Sequence, residues 1–386
     1  MNAGSSSIKF KLFNATNYQV EASGLCERIF VDGHFSMKFA DQKISFDVPM
    51  QNHTQATEII LTELTKNKLV TDINEIIGVG HRVVLAGEKY STSMIITPEV
   101  KTAIKDHIKL APLHNEPELT VIEIFEKKLP NAVNVASFDN TYHSTIPKEN
   151  YTYAIDQTVA KKYAIRRYGF HGNSYRFIAL KTAEILKNPK PNLVVCHLGN
   201  GASICAIKEG KSYNTSMGLT PLEGIIMGTR SGDIDPSIPI YLMREKMDAK
   251  QIDNMLNKSS GLYGLVGSSD MRDILNLYDK KDEKALLAVK MYAKKIAEYI
   301  IRYINDLNNK VDAIVFTAGV GENSGFIIEK VCEEVKIIEL ITNRNRLDEK
   351  YAEWKIVSEP NSVFPIYSIR TDEELMIAQD VNQAIK

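Results

Sequence analysis

The chain has 386 residues, 44% of them apolar and 25% charged, a globular composition long enough for a sizeable core spread over about two or three domains. Its 47 basic and 48 acidic side chains leave a formal charge of -1, so no global field favours nucleic acid or an anionic membrane, and a small ligand is the expected partner. No apolar run approaches the roughly 18 residues of a membrane span, and no basic-then-apolar leader opens the chain. Cys26, Cys196, Cys205 and Cys332 show neither C-x-x-C nor zinc-finger spacing, so four buried thiols in a reducing, cytoplasmic setting are expected.

The opening "NAGSSSIKFKLF" sets a glycine and three serines ahead of an alternating run. Small residues leave backbone N–H groups open to an anion, and alternation predicts a half-buried strand. Taken alone, an unstructured start before an edge strand explains it better. Short alternating runs between residues 18 and 48, with a turn at Gly33, predict antiparallel strands. From "QATEIILTELTKNK" the period becomes helical, and "ITPEVKTAIKDHI" starts a helix with Thr97 as N-cap and Pro98 at the first helical position. "IIGVGHRVV" and "NAVNVASFD" read as buried strands with polar C-terminal ends, which is where open α/β sheets hold ligands.

The second half starts the pattern again. "NLVVCHLGNGASICAIKEGKS" is a strand, a glycine turn at Gly199 to Gly201, a second strand and a hairpin turn at Glu209-Gly210. Its likeness to the opening suggests an internal duplication with two anion-binding turns on either side of one cleft, although any two glycine hairpins look alike. A long amphipathic segment, "EKALLAVKMYAKKIAEYIIRYINDLNN", leads to "DAIVFTAGVGENSGF", a third glycine turn of nucleotide-binding type for which a plain strand-to-helix connection is the alternative.

Arg82 in "GHRVVLAGE" and Arg230 in "MGTRSGDIDPSIP" have the paired donors that carboxylate and phosphate accept. A structural ion pair accounts for either arginine alone, but the small and acidic neighbours of Arg230 are poor packing material. His114, His143, His171 and His197 lie in similar loop contexts, except that His197 sits on a strand and fits a structural role. His171, between Phe170 and Gly172, is placed to face a phosphoryl group. Asp139 and Glu373 are candidate oxygens for magnesium on a nucleotide. Against that, Asp139 could cap the following segment, and Glu373 sits in "TDEEL", where Thr371 and Glu374 make a capping box.

In this order, "NAGSSSIKF", "GHRVV", "APLHN", "FDNTYH", "RRYGFHG", "HLGNGAS", "TSMGLTPLEGIIMGTRSGDIDP", "FTAGVGENS" and "TDEELMIAQD" closely resemble the acetate kinase family over essentially the whole chain. The resemblance implies an α/β chain of the duplicated sugar-kinase/Hsp70/actin-like, ribonuclease H-like fold, with two domains around a central cleft. They would be an N-terminal domain over 1–145, completed by a C-terminal helix at 371–386, and a nucleotide-binding domain over 146–370. It further implies a homodimer that phosphorylates acetate from ATP with Mg2+, or Mn2+ in its place.

Carried across by motif, Asn2 and Glu373 would hold the metal, with Ser5, Ser7 and Lys9 in the neighbouring phosphate-side turn. Arg82 and Arg230 would grip acetate and the phosphoryl group, His171 would stabilise the transition state, and Asp139 is similar to the family's essential acid. Nucleotide contacts would come from Lys9, from His197, Leu198, Gly199, Asn200 and Gly201, from Asp270, Met271 and Arg272, and from Gly319, Val320, Gly321, Glu322 and Asn323. The acetate methyl would face Val84, Leu113, Phe170 and Pro221, with His114 and His143 in support. A propionate or other short-chain acyl kinase differs only in pocket volume, and a non-catalytic nucleotide-binding module is the alternative from another class.

Four departures from the family pattern stand out. The family carries a short apolar strand before the asparagine, whereas Met1 directly precedes Asn2 here, so a sheet lacking its first strand is expected, with Asn2, Ser5 and Ser7 at risk of misplacement. Leu85-Ala86 replaces a usual His-Gly, Tyr175 replaces a usual histidine, and "LVGSSDMRD" is one residue short.

Overall fold

The structure, a computed structural model, describes residues 1–108 and 110–386, with the side chains of Pro112 and Leu113 outside the description. The chain divides into two units, Met1–Tyr142 with Asp372–Lys386, and His143–Thr371. Among the described residues no helix is long and apolar enough to cross a membrane.

In the first unit, β1 (Asn2–Gly4), β2 (Ser7–Phe13), β3 (Val20–Glu27), β4 (His34–Phe39) and β5 (Gln42–Asp47) form an antiparallel sheet in chain order. Alternation does here what the sequence predicts, turning Ile8 and Phe10 of β2 and Phe35 and Met37 of β4 into one apolar core. The small-residue opening is a tight hairpin, with Gly4 paired to Ser7 and Ser5 and Ser6 exposed at its tip. A second sheet pairs β6 (Gly78–Val83) in parallel with β8 (Val133–Phe138), with β7 (Met94–Ile95) antiparallel on the far side of β8.

The two sheets meet at the start of the chain. The Met1 ammonium donates to the Gly80 carbonyl at 2.7 Å, and the Arg82 amide donates to the Met1 carbonyl at 2.9 Å. The spatial order is therefore β3-β2-β1-β6-β8. Three helices follow these strands: α1 (His53–Lys66) capped by Asn52, α2 (Pro98–Asp106) capped by Thr97 as predicted, and α3 (Pro112–Lys128), which packs on β1 and β6. On β6 also lies the C-terminal helix (Glu373–Ile385), so closely that a Cβ on Gly80 would come within 2.3 Å of Ile377. That helix is capped by Asp372, whose carboxylate accepts the Leu375 amide, and not by the Thr371/Glu374 box read from the sequence. With Asp372 as N-cap the helix starts one residue later, so the amide satisfied is that of Leu375 rather than that of Glu374.

The second unit repeats the order. β9 (Leu193–Leu198), β10 (Ala202–Lys208) and β11 (Lys211–Thr215) form an antiparallel meander, with Glu209 and Gly210 both at positive φ in the two-residue turn. β12 (Ala313–Thr317) and β14 (Ile366–Ile369) then add in parallel beside β9, and β13 (Trp354–Ile356) closes the edge. The sheet runs β11-β10-β9-β12-β14-β13. A meander with two parallel strands beside its first member is common to both units, five strands long in the first and three in the second, and the duplication suggested by the glycine turns is present as topology. Every residue of β9 and β12 is buried, as parallel strands covered on both faces require. The long amphipathic segment is one helix, Glu283–Asp306, which packs its Ile296, Ile300 and Tyr303 side inward against β9 and β10. All four cysteines are free and buried.

β1 stops at Met1, and along its line the facing edges of β2 and β6 border a cavity of about 500 Å³ walled by Phe10, Leu12, Leu64, Val79, Phe125 and Ile377. A strand of five apolar residues fused ahead of Met1 is expected to lie there, pairing with both edges and raising the melting temperature by about 2–6 °C. Differential scanning calorimetry of the extended chain against the present one checks this, and an unchanged or lower transition would count against it.

Candidate active site

Arg82 and Asp139 stand at the C-terminal ends of adjacent parallel strands, since Val83 of β6 is in register with Phe138 of β8 and Asp139 follows directly. The pair is bidentate: Arg82 Nε donates to Asp139 Oδ1 at 3.1 Å and Nη2 to Oδ2 at 2.5 Å. Asp139 is only 1% exposed, so its charge has no solvent and depends on that fork. Arg82 Nη1 reaches Asn2 Oδ1 at 3.4 Å, and Glu373 Oε2 lies 3.9 Å from Arg82 Nε. Burial opposes the guanidinium charge, but the Asp139 and Glu373 carboxylates outweigh it and hold Arg82 firmly protonated. For Glu373, burial raises the carboxyl above its ordinary range, with Arg82 pulling the other way. Asn2, Arg82, Asp139 and Glu373 thus form one cluster.

Lys9 stands apart from that cluster. Its ammonium pairs with Glu374 at 2.7 Å and its side chain is half exposed, while Lys11 bonds Asp372 at 3.0 Å. Val84 is buried just beyond β6, and the Leu113 side chain lies outside the description. His114 is on α3 rather than in a loop, because the helix begins two residues earlier at Pro112.

In the second unit, His171 is the N-cap of the helix Gly172–Leu186, at φ 60°, a left-handed backbone that a non-glycine residue adopts only when its surroundings hold it there. Those surroundings are visible. His171 Nδ1 lies 2.8 Å from Ser203 Oγ, which in turn lies 2.5 Å from the hydroxyl of the fully buried Tyr175. The ring stacks on His197 with centroids 4.1 Å apart, and His197 Nδ1 is 2.9 Å from Ser174 Oγ. A Cβ on Gly201 would sit 3.4 Å from Arg230 Nη1 and 3.6 Å from His171 Nε2, so the glycine turn, the arginine and the imidazole share one spot. Phe170 is buried beside His171, with its carbonyl 2.9 Å from His143 Nε2, and Pro221 accepts from Arg230 Nη1 at 3.2 Å.

The glycine segments lie at neighbouring strand ends, because β9 and β12 are parallel with His197 opposite Thr317. Gly199 to Gly201 form the turn after Leu198. Asn200 is exposed, and its carbonyl accepts the Gly228 amide at 2.9 Å; a Cβ on Gly228 would come within 1.9 Å of Asn200 Oδ1. The expected third glycine turn is instead helical: Ala318–Asn323 follows β12 with no loop, Ala318 taking a φ of 64°. Glycines 319 and 321, with Val320, occupy its first turn, Glu322 Oε1 accepts the Ala318 amide at 2.9 Å, and Asn323 Nδ2 donates to the Gly319 carbonyl at 2.8 Å. Further on, Asp270 caps the helix Met271–Asp279 and forks Arg272 at 3.0 and 2.6 Å, with Met271 buried and Arg272 exposed. The Asp270 carboxyl drops to about 2 through the Arg272 hydrogen bonds.

Two groups escaped the sequence reading. Ser203 sits mid-strand on β10, where a hydroxyl facing His171 has no local signature, and Tyr175 registers in the sequence only as a departure from the family pattern. The other is Arg167, buried, which donates from Nη1 to the carbonyls of Thr215, Ser216 and Met217 at 3.0, 3.2 and 3.0 Å and pairs with Glu223 at 2.5 Å. Glu223 also accepts from Tyr153. This network ties down the backbone ahead of Pro221 and Arg230.

A glycine turn and a helix start at the ends of adjacent parallel strands are of the kind that suits nucleotide phosphates, and an arginine locked by a buried carboxylate suits a small anion; its relatives make the protein a phosphotransferase of the kinase class. Residues 1–379 match the Acetokinase family. An acetate kinase of Mycoplasma pneumoniae is 50% identical over 381 residues, covering 98% of this chain and 96% of that protein. The crystal structure of Porphyromonas gingivalis acetate kinase superposes with a TM-score of 0.92 at 38% identity, covering 100% of this chain and 98% of its own. That of a propionate kinase from Francisella tularensis gives 0.93 at 38% identity, with 98% and 97% covered. The chain belongs to the acetokinase family.

Removing the Tyr175 hydroxyl frees Ser203 to rotate away from His171. Tyr175→Phe is expected to lower kcat by about three- to tenfold with the nucleotide KM unchanged, the worth of one buried hydrogen bond. Steady-state kinetics check this, and an unaltered kcat would detach Tyr175 from the histidine.

Proposed function

We propose that this chain transfers the γ-phosphoryl group of ATP to the carboxylate of acetate, forming acetyl phosphate and ADP, and runs the reverse transfer as well. The observation that carries the reading is the Arg82–Asp139 fork. Three of the five guanidinium N–H donors go to Asp139 and Asn2, which leaves two for a small carboxylate at a fixed place. A carboxylate is already nucleophilic, so in-line transfer needs no base; it needs two anions brought together and their charge neutralised.

In this assignment Arg82 orients the acetate, while Asp139 keeps the guanidinium in place. Val84, Phe170 and Pro221 are the apolar residues assigned to the methyl group, and Leu113 belongs to the same assignment from the family motif. Arg230 and His171 meet the phosphoryl group in flight, with Ser203 holding His171 Nδ1 so that Nε2 is the atom presented to it. Gly199 to Gly201 and Gly319 to Asn323 bind the nucleotide phosphates, and Asp270 to Arg272 the adenosine side. The Asn2 carbonyl oxygen and the Glu373 carboxylate, both beside Arg82, are hard oxygen donors of the kind Mg2+ takes alongside phosphate oxygens and water. When bound, the ion neutralises charge on the β- and γ-phosphates. Asn2 and Glu373 would hold it, with Ser5, Ser7 and Lys9 nearby in the chain.

Propionate is the second reading, favoured by the equally good match to the Francisella propionate kinase. One extra methylene is worth only about 1–3 kcal/mol of discrimination. Hydroxylamine trapping of acyl phosphate from ATP and Mg2+ with acetate, propionate and butyrate in parallel decides between them, and silence with all three would overturn the kinase reading. Arg230→Ala is expected to cut kcat by about 10²–10³-fold while ATP still binds, as loss of a donor used in the transition state does. Near-normal turnover would take Arg230 out of the chemistry.

The homodimer belongs to the same proposal. The helix Ser237–Arg244 exposes Ile238, Ile240, Tyr241 and Met243, an apolar face that a monomer would leave in water. Ile240→Glu with Tyr241→Glu is expected to halve the mass seen by light scattering; a parent chain that is already monomeric would refute the dimer.

A further inference from the structure

Asn115 and Glu118 lie three residues apart on α3 and so on one side of it, both essentially buried at 0% and 2% exposure. Both reach the same backbone. Asn115 Nδ2 donates to the Leu85 carbonyl at 2.7 Å and to the Ile104 carbonyl at 3.1 Å, and Glu118 Oε2 accepts the Val84 amide at 3.1 Å. β6 ends at Val83, so Val84, Leu85 and Ala86 leave the sheet while still buried. Without strand partners, their polar backbone needs side chains to satisfy it. The segment that needs them carries the acceptor residues, Arg82 two positions before Val84 and Val84 itself.

A carboxyl is an expensive way to satisfy one amide. Burial raises Glu118 to about 8 despite the pull of Arg82, so the group is neutral near pH 7, and among the described residues its Oε1 has no hydrogen-bond partner. An apolar residue here would leave the Val84 amide unpaired, and one charged at neutral pH would compete with Asp139 for Arg82. A neutral side chain with an acceptor oxygen meets both demands.

We propose that Asn115 and Glu118 are positioning residues which clamp the backbone from Arg82 to Ala86 and thereby set the affinity for the acceptor carboxylate. The proposal rests on the acetate-phosphorylating reading. They touch no reacting atom; they act through Val84 and Leu85. The clamp should therefore affect acetate and leave the nucleotide alone.

The experiment is steady-state kinetics of the full chain with acetate and ATP varied separately. Glu118→Met keeps the volume and deletes the acceptor; it is expected to raise the acetate KM about tenfold, with kcat and the ATP KM within about twofold. Glu118→Gln keeps an oxygen for the Val84 amide and is expected to return the acetate KM to within about twofold of the parent. Because a buried substitution can unfold the chain, Asn115→Ser is measured beside them, with the same selective rise expected. An acetate KM that stays at the parent value in every folded variant overturns the clamp, as does a rise matched by the ATP KM or a Gln variant as impaired as Met. A parent chain that makes no acyl phosphate from acetate would instead sink the functional reading itself.

Discussion

The Arg82–Asp139 fork is the interaction on which the polar cluster of the first unit depends. It joins the C-terminal ends of β6 and β8 and sets a full positive charge, itself only partly exposed, against a carboxylate that almost no water reaches. Such a pair contributes little to net stability, because the cost of desolvation offsets the attraction, but removing one member leaves a buried charge without compensation. What it supplies is position. Glu373 and Asn2 gather around the same guanidinium, and the polar side chains of α3 fix the strand end that carries it.

The second unit solves a matching problem with different parts. Backbone amides reach a ligand best from glycine and from a helix that starts directly from a strand, and both occur at neighbouring strand ends of this unit. His171 is held in a left-handed backbone by the buried Tyr175–Ser203 pair and by stacking on His197. That a duplicated topology carries a charged cluster at the strand ends of one copy and glycine-rich segments at those of the other shows how little the strand order dictates chemistry. The strand ends supply places, and the side chains decide their use.

Much of the architecture was legible from pattern. Alternation marked β2 to β5, mainly apolar runs marked β6, β8, β9 and β12, and Thr97 with Pro98 marked the start of α2. These signals are local: side-chain period and cap chemistry follow from backbone geometry a few residues long. Residue chemistry singled out Arg82, Asp139, His171 and Arg230 as candidates, and the family's motifs then gave each an implied role.

The local signals failed where a distant contact chose the outcome. The third glycine segment became helix, Asp372 displaced Thr371 as the cap, and His114 went onto α3. No spacing could show that Ser203 faces His171, that Glu118 and Asn115 reach across to Val84 and Leu85, or that Met1 joins two sheets through Gly80 and Arg82. The sequence by itself determined the fold class, most of the elements and the family. Only the tertiary structure decided which buried polar groups satisfy one another, because each such bond joins residues far apart in the chain and exists only once packing has excluded water from both.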